Sequence, residues 1–278
     1  SAVRCAGGGG MISAQSAITR CRRDLTLGAI VKVVLLGAAA CALIVEPVLG
    51  IGLDAGIALG AVGAVWLLLG FRSMRGSRLA ADSPMLIASG QYDAAERQIV
   101  GALESFTLFR GAKLMSLHQL AVLRHAQNRW QESATLCRAL LAQRRGAPRG
   151  IGRSTRLILA GSLLEMGEVE PAGRNIAALY EHRLSLGESL TLLLVQLDYE
   201  SRLGRWAAMT GGIMSKVGLA ELMPATNAAR TQALLALGAL HSGRKDWFQW
   251  LRRRVELLIE PEELKAWRPV LSELWAVS

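Results

Sequence analysis

The chain has 278 residues, 51% apolar but only 5% aromatic, with a formal net charge of +10. The apolar excess lies in Leu and Ala, which suit helices, and residues that favour strands are scarce, so a β-rich fold is excluded. The charge is not a nucleic-acid footprint: residues 79–278 hold 24 Lys/Arg against 19 Asp/Glu, and the remaining excess surrounds two apolar segments near the start.

Residues 1–24 read as a flexible basic leader: four consecutive glycines (7–10) suggest disorder, and Met11 reads as a natural start. Two apolar runs follow, 25–45 and 48–70, each of about 20 residues, the length an α-helix needs to cross a bilayer. They predict a transmembrane helical hairpin over 25–71, separated by little more than Glu46-Pro47, with its turn in the Glu46–Asp54 connection. Arg20, Arg22 and Arg23 precede the first run, and Arg72, Arg75 and Arg78 follow the second. Basic flanks stay on the cytoplasmic side, so both termini are expected to be cytoplasmic, in a multi-pass protein of the bacterial inner-membrane type. A cleaved signal peptide fits less well, because the first run exceeds the usual signal core and a second span follows at once. Gly52, Gly56 and Gly60 recur every four residues on one face of the second span, where another helix backbone can approach. Packing inside the hairpin or a homo-oligomer through these glycines would both use that face.

Beyond residue 79 a phrase recurs: Gly90-Gln-Tyr92, Asn128-Arg-Trp130, Gly167-Glu-Val169, Gly204-Arg-Trp206 and Gly243-Arg-Lys245. The first positions are spaced by 38, 39, 37 and 39 residues. Gly or Asn supplies the left-handed conformation that ends a helix, and a large apolar residue two positions later opens the next one. A small residue three further on (Ala95, Ser133, Ala172) lets the helices approach, but the fourth and fifth phrases carry Met209 and Phe248 there. Amphipathic stretches precede the turns, as in Leu117, Leu120, Ala121 and Arg124. Residues 261–277, with Leu264, Trp267, Leu271 and Trp275, read as a final capping helix.

This pattern resembles the tetratricopeptide repeat over residues 79–278, best at Gly90, Tyr92 and Ala95, with a longer period than that family and without its closing proline. The resemblance implies an all-α fold: a TPR-like α-solenoid of about five helix pairs behind the membrane hairpin. It also implies a partner-binding groove presenting His118, His125, Asp198, Arg202, Arg230 and His241, able to grip a peptide or helix of another protein.

Catalytic constellations are missing from the sequence. The four histidines lie apart, the four cysteines show no CxxC or Cys/His spacing, and there is no phosphate loop, dinucleotide fingerprint, HExxH or GxSxG. No enzyme, cofactor or metal is expected. Arg144, Arg145, Arg149, Arg153 and Arg156 crowd one loop, where contact with lipid headgroups is an alternative to plain solvation. Nucleic acid is disfavoured, since no aromatic residues interleave with these arginines. The expected function is a membrane-anchored scaffold recruiting or ordering proteins at the cytoplasmic face. The alternative is an accessory or regulatory subunit of a transport or export complex that uses the glycine-lined hairpin.

Overall fold

The computed structural model describes residues 12–49, 55–78, 80–143 and 150–276; among these every regular element is helical and no strand occurs. The chain divides into two compact units, Ser1–Ile158 and Leu159–Ser278.

In the first unit, α1 (Ala14–Leu49) is a single helix of 36 residues, followed by α2 (Ala55–Arg78), which packs on it. One expectation changes here. The stretch read as a flexible leader is helical from Ala14, and Ile12, Ala17, Ile18 and Cys21 are buried against α4 (Tyr92–Glu104), α5 (Arg110–Ala126) and α6 (Trp130–Leu141). Within the helix Ala14, Ala17, Ile18 and Cys21, at i, i+3, i+4 and i+7, form an apolar stripe whose burial drives docking. The helix also runs through Glu46 and Pro47 to Leu49, into the expected Glu46–Asp54 connection, whose residues 50–54 lie outside the described ones. A proline removes only one backbone hydrogen bond, and near a helix end that loss is tolerable.

Past Gly28 the same helix changes character. Ile30, Val33, Val34 and Leu36 on α1, and Ile57, Leu67, Leu68 and Phe71 on α2, are each more than half exposed. One described helix segment, Ala14–Cys41, is long and apolar enough to cross a membrane by length and composition, and Leu59–Met74 is a shorter apolar helix. So much contiguous apolar surface is unusual for a surface facing water.

After the short α3 (Ser83–Ala88), helices come in pairs. The first unit holds α3/α4 and α5/α6, then enters α7 (Ile151–Glu165), in which the unit boundary falls. The second unit continues with α8 (Val169–Leu179), α9 (Leu186–Arg202), α10 (Trp206–Thr210), α11 (Ile213–Ala220), α12 (Ala225–His241) and α13 (Lys245–Leu258).

The five turns share one construction. Gly90, Asn128, Gly167, Gly204 and Gly243 have φ of +76°, +60°, +78°, +64° and +70°. At each, the residue's own N–H donates to the carbonyl three back, and the next N–H to the carbonyl six positions before the following helix begins. The second set is Gln91→Leu86 (2.9 Å), Arg129→Arg124 (2.8 Å), Glu168→Leu163 (2.8 Å), Arg205→Glu200 (3.0 Å) and Arg244→Ala239 (2.9 Å). This is the Schellman closure, which satisfies carbonyls that a helix end would otherwise orphan. The next helix starts at Tyr92, Trp130, Val169, Trp206 or Lys245.

The small residues Ala95, Ser133 and Ala172 are fully buried, and the Ser133 hydroxyl donates to the Ala121 carbonyl at 2.9 Å. In the fourth pair the larger Met209 is accommodated by its neighbour. A Cβ on Gly238 of α12 would stand only 3.0 Å from that of Met209, so glycine there lets α12 approach Met209 without displacing it. The second helix of that pair is also split into α10 and α11 at Gly211-Gly212.

The expected final helix is broken: α14 (Pro261–Trp267), a 3₁₀ turn (Pro269–Ser272) and α15 (Glu273–Ala276). Pro269 accounts for the break, since it lacks an N–H and pushes Arg268 into extended backbone, φ −141°. Leu264, Leu271 and Leu274 of this segment are completely buried.

Candidate functional site

The residues expected to line a groove belong to the first helices of the pairs, so their surroundings decide what that face can bind. In the second unit the chain's own terminal segment packs against part of this face, and Arg202 and His241 stay exposed. Arg268, just after α14, places its guanidinium against two carboxylates. Its Nη2 and Nη1 meet Glu165 of α7 at 2.7 and 2.9 Å, while Nε and Nη2 meet Asp198 of α9 at 2.8 and 2.9 Å. Two bidentate pairs on one guanidinium use its planar fork fully. Burial works against the Arg268 charge, but hydrogen bonds to Asp198 and Glu165 outweigh it and push its pKa up.

Asp198 is 4% exposed and also pairs with Arg202 at 3.4 Å, so its carboxylate is saturated from within. Arg230 lies 4.9 Å from the Trp267 ring centre and Arg268 4.7 Å from it, so one indole takes two cations. Burial first, and the Arg268 charge next, lower the Arg230 pKa. His241 stacks on Trp206 (4.2 Å, 14° between planes), and its Nε2 is 2.9 Å from Glu273 of α15. The structure therefore sets Asp198, Arg230 and His241 against residues 261–276, while Arg202 reaches that cluster only through Asp198. The burial of Leu264, Leu271 and Leu274 draws the segment onto this face.

In the first unit the two candidate histidines are separate. Nδ1 of His118 is 3.1 Å from Thr155 Oγ1 and Nε2 3.4 Å from Ser154 Oγ, both on α7. Burial lowers its pKa to about 4, which keeps the ring neutral. His125 instead packs edge-on against Trp130 at 4.8 Å. Among the described residues no three His, Cys, Asp or Glu side chains gather as metal ligands.

The polar residues that matter most in this unit were not singled out by spacing. Arg124 is fully buried; its Nη1 and Nη2 meet Glu96 at 2.9 and 2.6 Å, Nη1 also donates to Gln127 (2.7 Å), and Nη2 donates to the Ile12 carbonyl (2.9 Å). Lys113, 1% exposed, pairs with Asp24 of α1 at 2.7 Å and donates to the carbonyls of Ser105 (2.8 Å) and Leu103. The hydrogen bond from Arg124 holds the Glu96 carboxyl below its usual pKa, against the opposing pull of burial. The available signal was a basic residue inside an apolar stripe, since Lys113, Leu117, Leu120 and Arg124 are spaced 4, 3 and 4 apart. Arg20 also pairs with Glu104, at 2.6 Å. On α2, Ser73 bonds to Thr107 and accepts from the Leu108 N–H at 3.1 Å. The foot of each apolar helix is thus fastened to the helical pairs.

Of the membrane-face glycines, Gly52 lies outside the described residues, whereas Gly56 and Gly60 are exposed on α2. A Cβ on Gly60 would meet nothing within 4 Å, so close packing of α1 on α2 does not depend on it. Arg144, Arg145 and Arg149 lie outside the described residues, while Arg153 and Arg156 are half-buried on α7. Comparison with protein-family models, with curated proteins and with solved structures finds no match.

Proposed function

We propose that this protein is a membrane-anchored scaffold, a TPR-like α-solenoid on a transmembrane hairpin that recruits or orders other proteins at the cytoplasmic face. The observation carrying the reading is the joining of two patterns in one chain. Five helix pairs closed by the same left-handed turn follow two helices whose apolar side chains face outward. Repeated pairs of this kind build extended binding surfaces, and outward apolar helices seek lipid. The self-held segment around Trp267 and Arg268 supports the idea that first-helix faces grip peptide through carboxylates and stacking.

The test is topology. Alkaline carbonate should leave the protein in the membrane pellet, and protease outside intact cells should leave residues 80–276 undigested. Digestion from outside would overturn the cytoplasmic scaffold.

The second reading, a subunit of a transport or export complex, is favoured by the glycines. At Gly37, Gly60 and Gly63 a Cβ would meet nothing within 4 Å, leaving small-residue surfaces of α1 and α2 open to another helix. Replacing residues 28–70 with an unrelated hairpin, keeping the docked start of α1, separates the two. Retained partner recruitment supports the plain anchor. Lost assembly with an intact helical signal supports the intramembrane role.

A further inference from the structure

The second unit carries a cavity that the scaffold reading does not use. It lies between α11 and α13, has a volume of about 490 Å³, and is lined by Met214, Asp246, Trp247 and Trp250. The two indoles stand at right angles, 89° between planes and 5.4 Å between centres, so they form a corner rather than a stack. Met214 is 70% exposed and Trp250 41%, so the cavity presents apolar side chains to solvent. Asp246, in the first turn of α13, is exposed and has no ion-pair or hydrogen-bond partner among the described residues.

We propose that this corner binds an alkylated ammonium group, a quaternary or methylated amine of the choline class. Two indole faces present negative charge density to a cation, and Trp is the strongest of the aromatic residues in that role. The single carboxylate at the rim adds charge complementarity. An uncharged apolar guest would desolvate Asp246 and return nothing to it. A bare ammonium or guanidinium would bring several N–H donors to a wall holding one carboxylate and otherwise indole and thioether, and indole N–H groups donate rather than accept. A cation sheathed in methyl groups needs no acceptors and fits the apolar lining. Arg254 also lies over Trp250, 4.8 Å from the ring centre, but it is tied to Glu221 at 2.7 Å and does not line the cavity.

The ligand chemistry has two sources, a free solute and a phosphatidylcholine headgroup, and the test distinguishes them. The full chain, held in a maltoside detergent, is titrated calorimetrically with choline chloride at constant ionic strength. The same titration is then run with 3,3-dimethyl-1-butanol, in which carbon replaces the charged nitrogen. Saturable choline binding is expected, with the uncharged isostere about tenfold weaker or worse. Trp250→Ala and Asp246→Asn should each weaken choline about tenfold, with the helical circular-dichroism signal unchanged. Because Asp246 is exposed, its variant remains informative even if the tryptophan change disturbs folding. Equal binding of choline and its isostere, no saturable choline binding, or parent-like binding by both variants would each overturn the proposal. Phosphatidylcholine vesicles that displace choline, where phosphatidylethanolamine vesicles do not, would assign the site to a headgroup. Displacement by neither would assign it to the free solute.

Discussion

In the first unit the chain end that folds back over the helix pairs is tied down by two buried cations, Lys113 and Arg124. In the second the returning end is held by three buried leucines and one arginine shared between two carboxylates. The difference is one of tolerance. Apolar contact is non-directional, and a leucine can shift along a core face at modest cost. A guanidinium gripping Glu96 and the Ile12 carbonyl together admits one register and one rotation of α1. The unit that bears the outward apolar helices therefore uses the more demanding fastening. The other joins an equally directional guanidinium, Arg268, to leucines that are more forgiving.

The largest test of this contrast removes one buried partner. Glu96→Gln leaves the buried Arg124 charge with one carboxylate, Glu132 at 3.4 Å, in place of its bidentate partner, which should cost about 3 kcal/mol, confined to the first unit. Hydrogen exchange should show lost protection in α4–α6 with α12 and α13 unchanged; full protection in α5 would refute the fastening. Leu264→Ala is the counterpart, expected to cost about 2–5 kcal/mol through the cavity it leaves, with protection lost in α12 instead.

Acid should sharpen the contrast next. His118 has a folded pKa of about 4 against about 6.5 unfolded, so as pH falls the unfolded chain takes up the proton first. The first unit should lose on the order of 3 kcal/mol between pH of about 6.5 and about 4, with no effect above that window. Glu96, whose folded pKa is depressed, adds stability above its ordinary carboxyl range that disappears as pH falls through it. Thermal melts of His118→Asn across this range should lose the upper part of the slope; an unaltered slope would place its cause elsewhere.

Asp198→Asn weakens one of the two bidentate pairs on Arg268 while Glu165 keeps the other, for about 2 kcal/mol. Protection of residues 261–276 should fall before that of α12, and the reverse order would break the account of a segment held by Arg268. The smallest effect separates two equivalent turns. Gly90→Ala should cost about 1–2 kcal/mol because φ there is +76°, whereas Asn128→Gly should leave the melting temperature nearly unchanged.

The turns were the most legible feature of the sequence, because a left-handed residue has few chemical substitutes and recurs at a near-constant interval. Helical content was legible from Leu and Ala. The docked start of α1 was hidden by its arginines, which read as membrane flanks although Arg20 bonds Glu104. Asp198, Arg202, Arg230 and His241 were expected on first helices, and α9 and α12 carry them. Their partners, Trp267, Arg268 and Glu273, lie far along the chain, Arg268 being 70 residues from Asp198, a separation that periodicity does not encode. Gly238 opposite Met209 shows the same limit, since a space made on one helix for a side chain on another leaves no mark in local pattern.

Helix α1 passes from its docked turns to its outward apolar length without an interruption at Asp24. It behaves as a shaft keyed at one end: Asp24 and the Ile12 carbonyl are the keys, Lys113 and Arg124 the slots. Any twist or tilt imposed on the outward length must turn those keys or shear them, so the first helix pairs inherit the torque directly.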